Sequence, residues 1–313
     1  MYAYVLRRVL ATIPVMGVVT LFVFGLLYLT PGDPAAIIAG DNATAADIAR
    51  IRANLGLDQP FHLRFFSWVW GLLHGDLGIS IFTRLPVTTL IAQRLEPTVA
   101  LTICTMVVSV ALAVPLGMFA AWRAGTIGDH AVMLFSVVGF SVPVFVLAYI
   151  LIFVFSVQLE VLPVQGYVSI RQGLWPFLQH MILPSFALGT LFMALIARIT
   201  RASILEVLSQ DYIRTARAKG LDTSGVLIGH ALKNASVPIV TVIGIGIAML
   251  VGGAVVTETV FAIPGIGRLT VDAILRRDYP VIQGLIIVFS GVYVLINLII
   301  DLTYPFLDPR IRY

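Results

Sequence analysis

The amino-acid sequence predicts an all-α integral membrane protein with six transmembrane helices, both termini cytoplasmic, and an external helical segment between helices one and two. Three observations predict it. The 313 residues are 59% hydrophobic and only 12% charged. An ordinary soluble domain carries about 25% charged residues, so lipid rather than water is the solvent for most of this chain. Six apolar runs are long enough to cross a bilayer core about 30 Å thick, which takes about 20 helical residues. Finally, the basic residues of the short connections fall mainly on one side of that six-span arrangement.

The runs cover roughly 9–29, 98–122, 131–157, 181–200, 237–260 and 281–304. The first follows Arg7 and Arg8, as a secretory signal would. Its apolar run exceeds a signal's and no small-residue cleavage site follows cleanly, so it reads as an uncleaved anchor. The fourth is crowded at its ends by His180, Pro184 and Arg198. Arg7, Arg8, Arg123, Arg201, Arg214, Arg217, Lys219, Lys233, Arg310 and Arg312 all lie on the cytoplasmic side of this arrangement. The connection between spans five and six opposes the rule, with Arg268, Arg276 and Arg277 outside. The chain thus divides into an N-terminal transmembrane helix (1–30), an external helical segment (31–97), a five-helix transmembrane core (98–305) containing a cytoplasmic loop at 201–236, and a cytoplasmic tail (306–313).

Within the external segment, Thr44 caps a helix that places Ile48, Ile51 and Leu55 on one face and stops at Gly56. Phe61, Phe65, Trp68 and Leu72 then recur at helical spacing, a composition suited to the membrane interface. Pro86 opens a third short helix, VTTLIAQRL, leading into span two. The segment is either a scaffold that orients the spans or a docking surface.

The spans hold almost no charge. Glu258 and Asp301 sit near span ends, where a charge costs less than at mid-depth. This disfavours a proton-relay pump. Gly244, Gly246, Gly252, Gly253, Pro115, Gly117 and Pro143 serve packing and kinks, or helices that slide. Several function classes lack their motifs. Neither Lys219 nor Lys233, the only lysines, completes a Walker-type phosphate loop. The two GIG strings lack the third glycine and preceding strand of a dinucleotide site, and the five histidines form no metal motif. No basic tail or stripe suits nucleic acid.

The loop 201–236 is the cationic exception. Asp211 opens a short helix, DYIRTARAK, and Gly220 stops it, with the acid early and the cations late as the helix dipole favours. Spacing groups Tyr212, Thr215, Ala216 and Lys219 on one face, with Ile213, Arg214, Arg217 and Ala218 on the others. Small residues keep part of the helix low in profile. It either rests on anionic lipid or sits in a groove of a partner protein. A second amphipathic piece, VLIGHALKNASVP, leads into span five, with Pro238 near its first turn.

This loop resembles the cytoplasmic loop of permease subunits of ATP-binding-cassette importers, in which E-A-A, three residues and Gly precede a stretch ending in Pro. Here Arg214-Thr215-Ala216 stands where E-A-A would be, Gly220 keeps its spacing, and Pro238 ends the loop. YIRTARAKG followed by HALKNASVP is the form of the peptide branch of that family. LRR near the start, TPGDP at 30–34, LGLDQP at 55–60, GDLGIS at 75–80, TRASILEVLSQDY at 200–212, ETVFAIPGIGRL at 258–269, RRDYPVIQG at 276–284 and the terminal DPRIRY extend the resemblance along nearly the whole chain. The sequence is similar to the first permease subunit of dipeptide, oligopeptide, glutathione and nickel importers.

The resemblance implies a multi-pass protein of the bacterial inner (cytoplasmic) membrane that is not itself an enzyme. It implies no cofactor and no metal in this chain, with ATP–Mg bound by partner ATPase subunits. The implied partners are a second homologous permease, two ATPases and a periplasmic or extracellular solute-binding protein, besides the lipid bilayer. Asp211, Tyr212, Arg214, Thr215, Ala216, Arg217, Ala218, Lys219 and Gly220 would form the ATPase-coupling loop. Glu258, Pro264, Gly265, Gly267 and Arg268 suit an external gate or binding-protein contact, or merely a turn. A stand-alone secondary transporter or channel is the alternative function; it would want buried ionisable groups or an inverted repeat. An integral membrane enzyme would want convergent catalytic groups, and none is recognisable.

Overall fold

The computed structural model describes residues 2–29, 35–36, 44–54 and 58–307. The helices are α1 (Tyr2–Leu29), α2 (Ala45–Asn54), α3 (Phe61–Leu73), α4 (Val87–Trp122), α5 (Ile127–Ser141), α6 (Val144–Leu151), α7 (Leu174–Leu208), α8 (Asp211–Ala218), α9 (Ser236–Gly253), α10 (Val255–Val260), α11 (Ile266–Arg276) and α12 (Tyr279–Leu307). Two π-helical stretches, Ile152–Gln158 and Gly225–Leu232, continue α6 and precede α9. Among the described residues there is no strand, only an isolated bridge between Ile79 and Pro86. The string TPGDP, the terminal DPRIRY, and the Leu55 and Gly56 expected to end α2, lie outside the described residues.

Four helices are long and apolar enough to cross a membrane, or up to six if each of two bent pairs is one span. One bent pair marks where the apolar run of span three did not predict the geometry; the other joins Gly225–Leu232 to Ser236–Val251 at 70°, within the predicted cytoplasmic loop just ahead of span five. Span three breaks at Val142–Pro143 with a bend of 103° between Ile127–Ser141 and Val144–Gln158. Proline has no N–H and pushes its predecessor out of the helical region; Val142 accordingly sits at φ −80°, ψ 124°. Span five stops at Gly253, turns at Ala254 and restarts as α10. Pro238 falls in the first turn of α9, where a missing N–H leaves no intrahelical bond unmade.

Span two shows the opposite behaviour. Pro86 does open a helix, its carbonyl taking the Thr89 and Leu90 N–H groups. That helix continues past Pro97 and Pro115 as one 36-residue element. The expected short helix and span two are therefore continuous, about 54 Å at 1.5 Å per residue. Span four likewise extends to 35 residues, with Pro184 inside it.

The chain forms two compact units. The larger holds Leu95–Arg268 and the chain from Tyr293. Its centre is α7, in which 67% of the most apolar stretch is buried, against 11% in α1 and in α12. α4 runs parallel to α7: Ser109 Oγ donates to the Gly189 carbonyl, and Gly117 lies against Ala197 and Thr200. α5 runs antiparallel to it, with Asp129 bonded to Arg201 and Gly139 against Thr190. In the loop after α6, the Tyr167 and Ser169 hydroxyls donate to Glu96 of α4. Burial first, and then that bond, pushes the Tyr167 phenol well above its ordinary pKa, so it remains a neutral donor.

The smaller unit holds Tyr2–Arg94 and Leu269–Val292. In it, Phe24 of α1 meets Phe61, Phe65 and Trp68 of α3 at ring distances of 5.2, 5.4 and 5.3 Å. This is the face the helical spacing predicted, and Phe66 and Trp70 stay exposed on the other side. Buried Asp278 accepts the Ser80 hydroxyl at 2.6 Å and the Ile81 N–H at 3.2 Å.

A Cβ at Gly117 would lie 2.6 Å from the Ala197 carbonyl oxygen and 2.7 Å from Thr200 Cβ. We expect Gly117→Val to force α4 from α7 and destabilise the protein by about 1–3 kcal/mol. Gly25→Ala, where nothing lies within 4 Å, is the neutral control. Thermal unfolding of both variants in detergent checks this.

Candidate functional site

The segment 201–236 begins as the last turns of α7. The Ser209 and Gln210 N–H groups bond back to Glu206 and Val207. Extended Gln210 (φ −77°, ψ 148°) redirects the chain and α8 starts at Asp211, as expected. α8 carries Asp211 in its first turn and Arg217 in its last, complementing its dipole. The Gly220 N–H bonds the Arg217 carbonyl at 2.9 Å, and the Leu221 N–H bonds the Ala216 carbonyl at 3.3 Å. This reciprocal pair closes the helix and requires a left-handed residue, which Gly220 supplies at φ +86°.

α8 is anchored by two side chains. Ile213 is fully buried and Ala216 nearly so, facing the π-helical stretch Gly225–Leu232, itself seated through Val226 and Ala231. Ala216 therefore does not share the outward face of Tyr212, Thr215 and Lys219 that spacing assigned to it. It lies three residues from Ile213 and so follows it inward. Asp211, Tyr212, Arg214, Thr215, Arg217, Ala218, Lys219 and Gly220 remain exposed. The 3.4 Å contact between Arg214 and Asp211 is solvated and adds little stability. The result is a shallow, cationic, rigidly closed helix with one aromatic side chain, Tyr212, standing out from it.

The second group of predicted residues also converges, in a different way. Glu258 is 0% exposed. Its Oε1 accepts the Thr98 hydroxyl at 2.7 Å, and its Oε2 accepts the Arg268 N–H at 2.9 Å. Thr98 Oγ1 in turn accepts the Ile266 N–H at 2.8 Å. A carboxylate and a hydroxyl thus cap the open N–H groups at the start of α11. A Cβ on Gly265 would fall within the Glu258 carboxylate, and one on Gly267 would lie 2.9 Å from Val255 Cα. Pro264 and Arg268 are exposed, whereas Gly265 and Gly267 are buried. This corrects the expectation that Glu258 escapes the cost of burial by lying near a span end. It is fully enclosed, and its cost is met by charge-assisted hydrogen bonds and a helix N-terminus. Of this group, only Pro264 and Arg268 are exposed.

Sequence reasoning missed Thr98, which stands 160 residues from Glu258. It also missed the ion pair of Asp129 with Arg201, 72 residues apart. Neither pair has a local signal. Among the described residues no three His, Cys, Asp or Glu side chains gather closely enough to hold a metal ion.

Two substitutions test these geometries. Gly220→Val should fray the end of α8, costing about 1–2 kcal/mol because the φ +86° conformation penalises a branched Cβ. Gly220→Asn should cost less; faster exchange of the backbone amides at position 220 and Leu221 in the valine variant alone is the expected result. Glu258→Gln keeps one acceptor but turns a donor toward the Arg268 N–H, costing about 1–3 kcal/mol. Limited proteolysis should then cut residues 262–268 sooner than in wild type.

Residues 113–313 match the family described as binding-protein-dependent transport system inner membrane component, and residues 1–102 match the corresponding N-terminal family. The chain is 55% identical over 313 residues to a probable peptide ABC transporter permease of Sinorhizobium fredii, with 100% of both chains covered. It is 45% identical over 314 residues to the glutathione transport system permease of Salmonella typhimurium, again with 100% of both covered. With the dipeptide transport system permease of Escherichia coli K12 it shares 41% over 337 positions, covering 100% of this chain and 99% of the other. Each of these relatives is named as a permease protein of a transport system. A helical chain rich in membrane-length apolar elements, matched from end to end in this way, belongs to the inner membrane components of binding-protein-dependent transport systems, in the dipeptide, oligopeptide and glutathione branch of ABC importer permeases.

Proposed function

We propose that this chain is one of two membrane-spanning subunits of an ATP-driven importer. It would carry peptides or a related small solute (dipeptide, oligopeptide, glutathione or nickel chelate) across the bacterial inner membrane by alternating access. In this reading the chain crosses six times, with both termini and the 201–236 loop in the cytoplasm. Two ATPase subunits, which hold ATP–Mg, dock there; a solute-binding protein delivers cargo from outside, where Pro264 and Arg268 are exposed.

The observation that carries this reading is α8. An isolated helix of 8 residues is unstable in water. This one is held by Ile213 and Ala216 beneath and a closed turn at Gly220, while its remaining side chains stay exposed. Such preorganisation suits insertion into a groove. Swinging a two-state equilibrium from about 1:99 to 99:1 takes about 5.5 kcal/mol of differential binding. Lipid contacts much the same in both states supply none of it, whereas a groove on an ATP-driven partner can.

Purification in a mild detergent, followed by mass spectrometry, should recover a second permease and ATPase subunits with this chain. Tyr212→Ala removes the side chain that stands out from α8 without touching Ile213 or Ala216. We expect it to lower peptide uptake about tenfold and to loosen the ATPases, at unchanged membrane level. Normal uptake by that variant, or a chain that purifies alone in several mild detergents, would sink the docking reading and favour a stand-alone transporter.

A further inference from the structure

The Asp129–Arg201 pair joins α5 to α7, apart from the exposed residues of α8. Arg201 Nε lies 2.5 Å from Asp129 Oδ1 and Nη2 lies 2.7 Å from Oδ2, the two-pronged geometry that holds orientation as well as charge. The Asp129 side chain is 4% exposed and that of Arg201 26%. Asp129 Oδ2 also accepts the Gly125 N–H at 2.9 Å. One carboxylate therefore ties together the turn after α4, the first turn of α5 and the far end of α7. Its place in the first turn of α5 adds a favourable interaction with the helix dipole.

The position of Arg201 gives the pair its meaning. From Arg201, α7 continues unbroken to Leu208, and α8 follows after Ser209 and Gln210. A push on α8 thus reaches Arg201 through two turns of continuous helix. Further along the same antiparallel interface, a Cβ on Gly139 would meet Thr190 Cγ2 at 3.0 Å. α5 is held to α7 by charge at one end and by close contact near the other. Beyond it, the chain breaks at Val142–Pro143 with the 103° bend.

We propose that Asp129 and Arg201 are positioning residues for transport: their ion pair is the tie through which displacement of α8 is passed to α5, so that α5 and α7 move as one body. This rests on the docking reading of α8. A helix packed on α7 only by small side chains could slide as α7 tilted. A two-pronged ion pair whose carboxylate is buried resists sliding, because separating it leaves that carboxylate without its partner in a poorly solvated place.

The test uses the whole importer, with its second permease, ATPases and binding protein, in proteoliposomes. Uptake of radiolabelled dialanine, trialanine and glutathione is measured beside ATP hydrolysis. Arg201→Gln alone strands the Asp129 charge and risks misfolding. Asp129→Asn with Arg201→Gln leaves no stranded charge, and the new amide oxygen still accepts the Gly125 N–H. We expect this double variant to assemble and hydrolyse ATP, but to spend about tenfold more ATP per solute imported. Arg201→Lys keeps the charge without the fork and should show a smaller rise. An unchanged ratio of ATP to solute in the double variant would overturn the proposal. So would a parallel fall of hydrolysis and uptake that merely follows loss of assembled complex. If Tyr212→Ala leaves coupling intact, the docking reading has failed. If Tyr212→Ala uncouples the importer while the double variant keeps the wild-type ratio, only the tie has failed.

Discussion

In a membrane every backbone N–H and carbonyl must find its partner inside the protein, and this constraint governs where the chain is allowed to leave a helix. The turn from α10 to α11 shows what it demands. Locally, the Glu258 N–H bonds Ala254, the Ala262 N–H bonds Thr259, the Ile263 N–H bonds Glu258 and the Gly265 N–H bonds Ile263. That closure holds Ala262 in the left-handed region at φ +51°, an uncommon place for a residue with a Cβ. The amides of Ile266 and Arg268, at the start of α11, lie beyond its reach. Thr98 and the Glu258 carboxylate take them from outside the turn. The carboxylate can lie buried because it replaces water for two N–H and O–H donors at once. Gly265 and Gly267 are small because the carboxylate lies directly against their backbone.

The same constraint explains the long helices. α4 and α7 exceed the roughly 20 residues a bilayer needs, at 36 and 35. Extending a helix satisfies its own backbone without further partners. α7 is buried along most of its apolar stretch and ends two residues from α8. A continuous rod of this kind transmits displacement better than a chain of short helices would.

Much of this architecture was legible in the sequence, and the legible part was local. The apolar runs announced the long helices, and Asp211 with Gly220 bounded α8 to within a residue, because capping chemistry acts over one turn. The Phe61, Phe65 and Trp68 face of α3 followed from periodicity alone. Proline was ambiguous. Pro97, Pro115 and Pro184 lie inside unbroken helices, whereas Pro143 stands at a sharp bend. A proline removes the same N–H in each case; whether neighbouring groups absorb the loss depends on packing that no short stretch of sequence records. Ala216 was misplaced for a related reason. On a helix of only two turns, the inward face is set by the one large apolar residue, Ile213, and small residues follow it. The pairings of Glu258 with Thr98 and of Asp129 with Arg201 were invisible because each joins helices distant in the chain.

Those two polar constellations differ in what they hold. Glu258 and Thr98 close backbone groups, and any shift of the turn would expose N–H donors to an apolar surrounding. They favour a fixed arrangement. The closest approaches of α7 to α4 and α5 are made instead at Gly117, Gly139 and Ser109, small residues that bring the helices together. Asp129 and Arg201 supply axial register for α5, since a two-pronged bond tolerates little displacement. The larger unit therefore combines close helix contacts with two polar fixtures. Of those two, only the one at Arg201 lies on the helix that leads directly into α8.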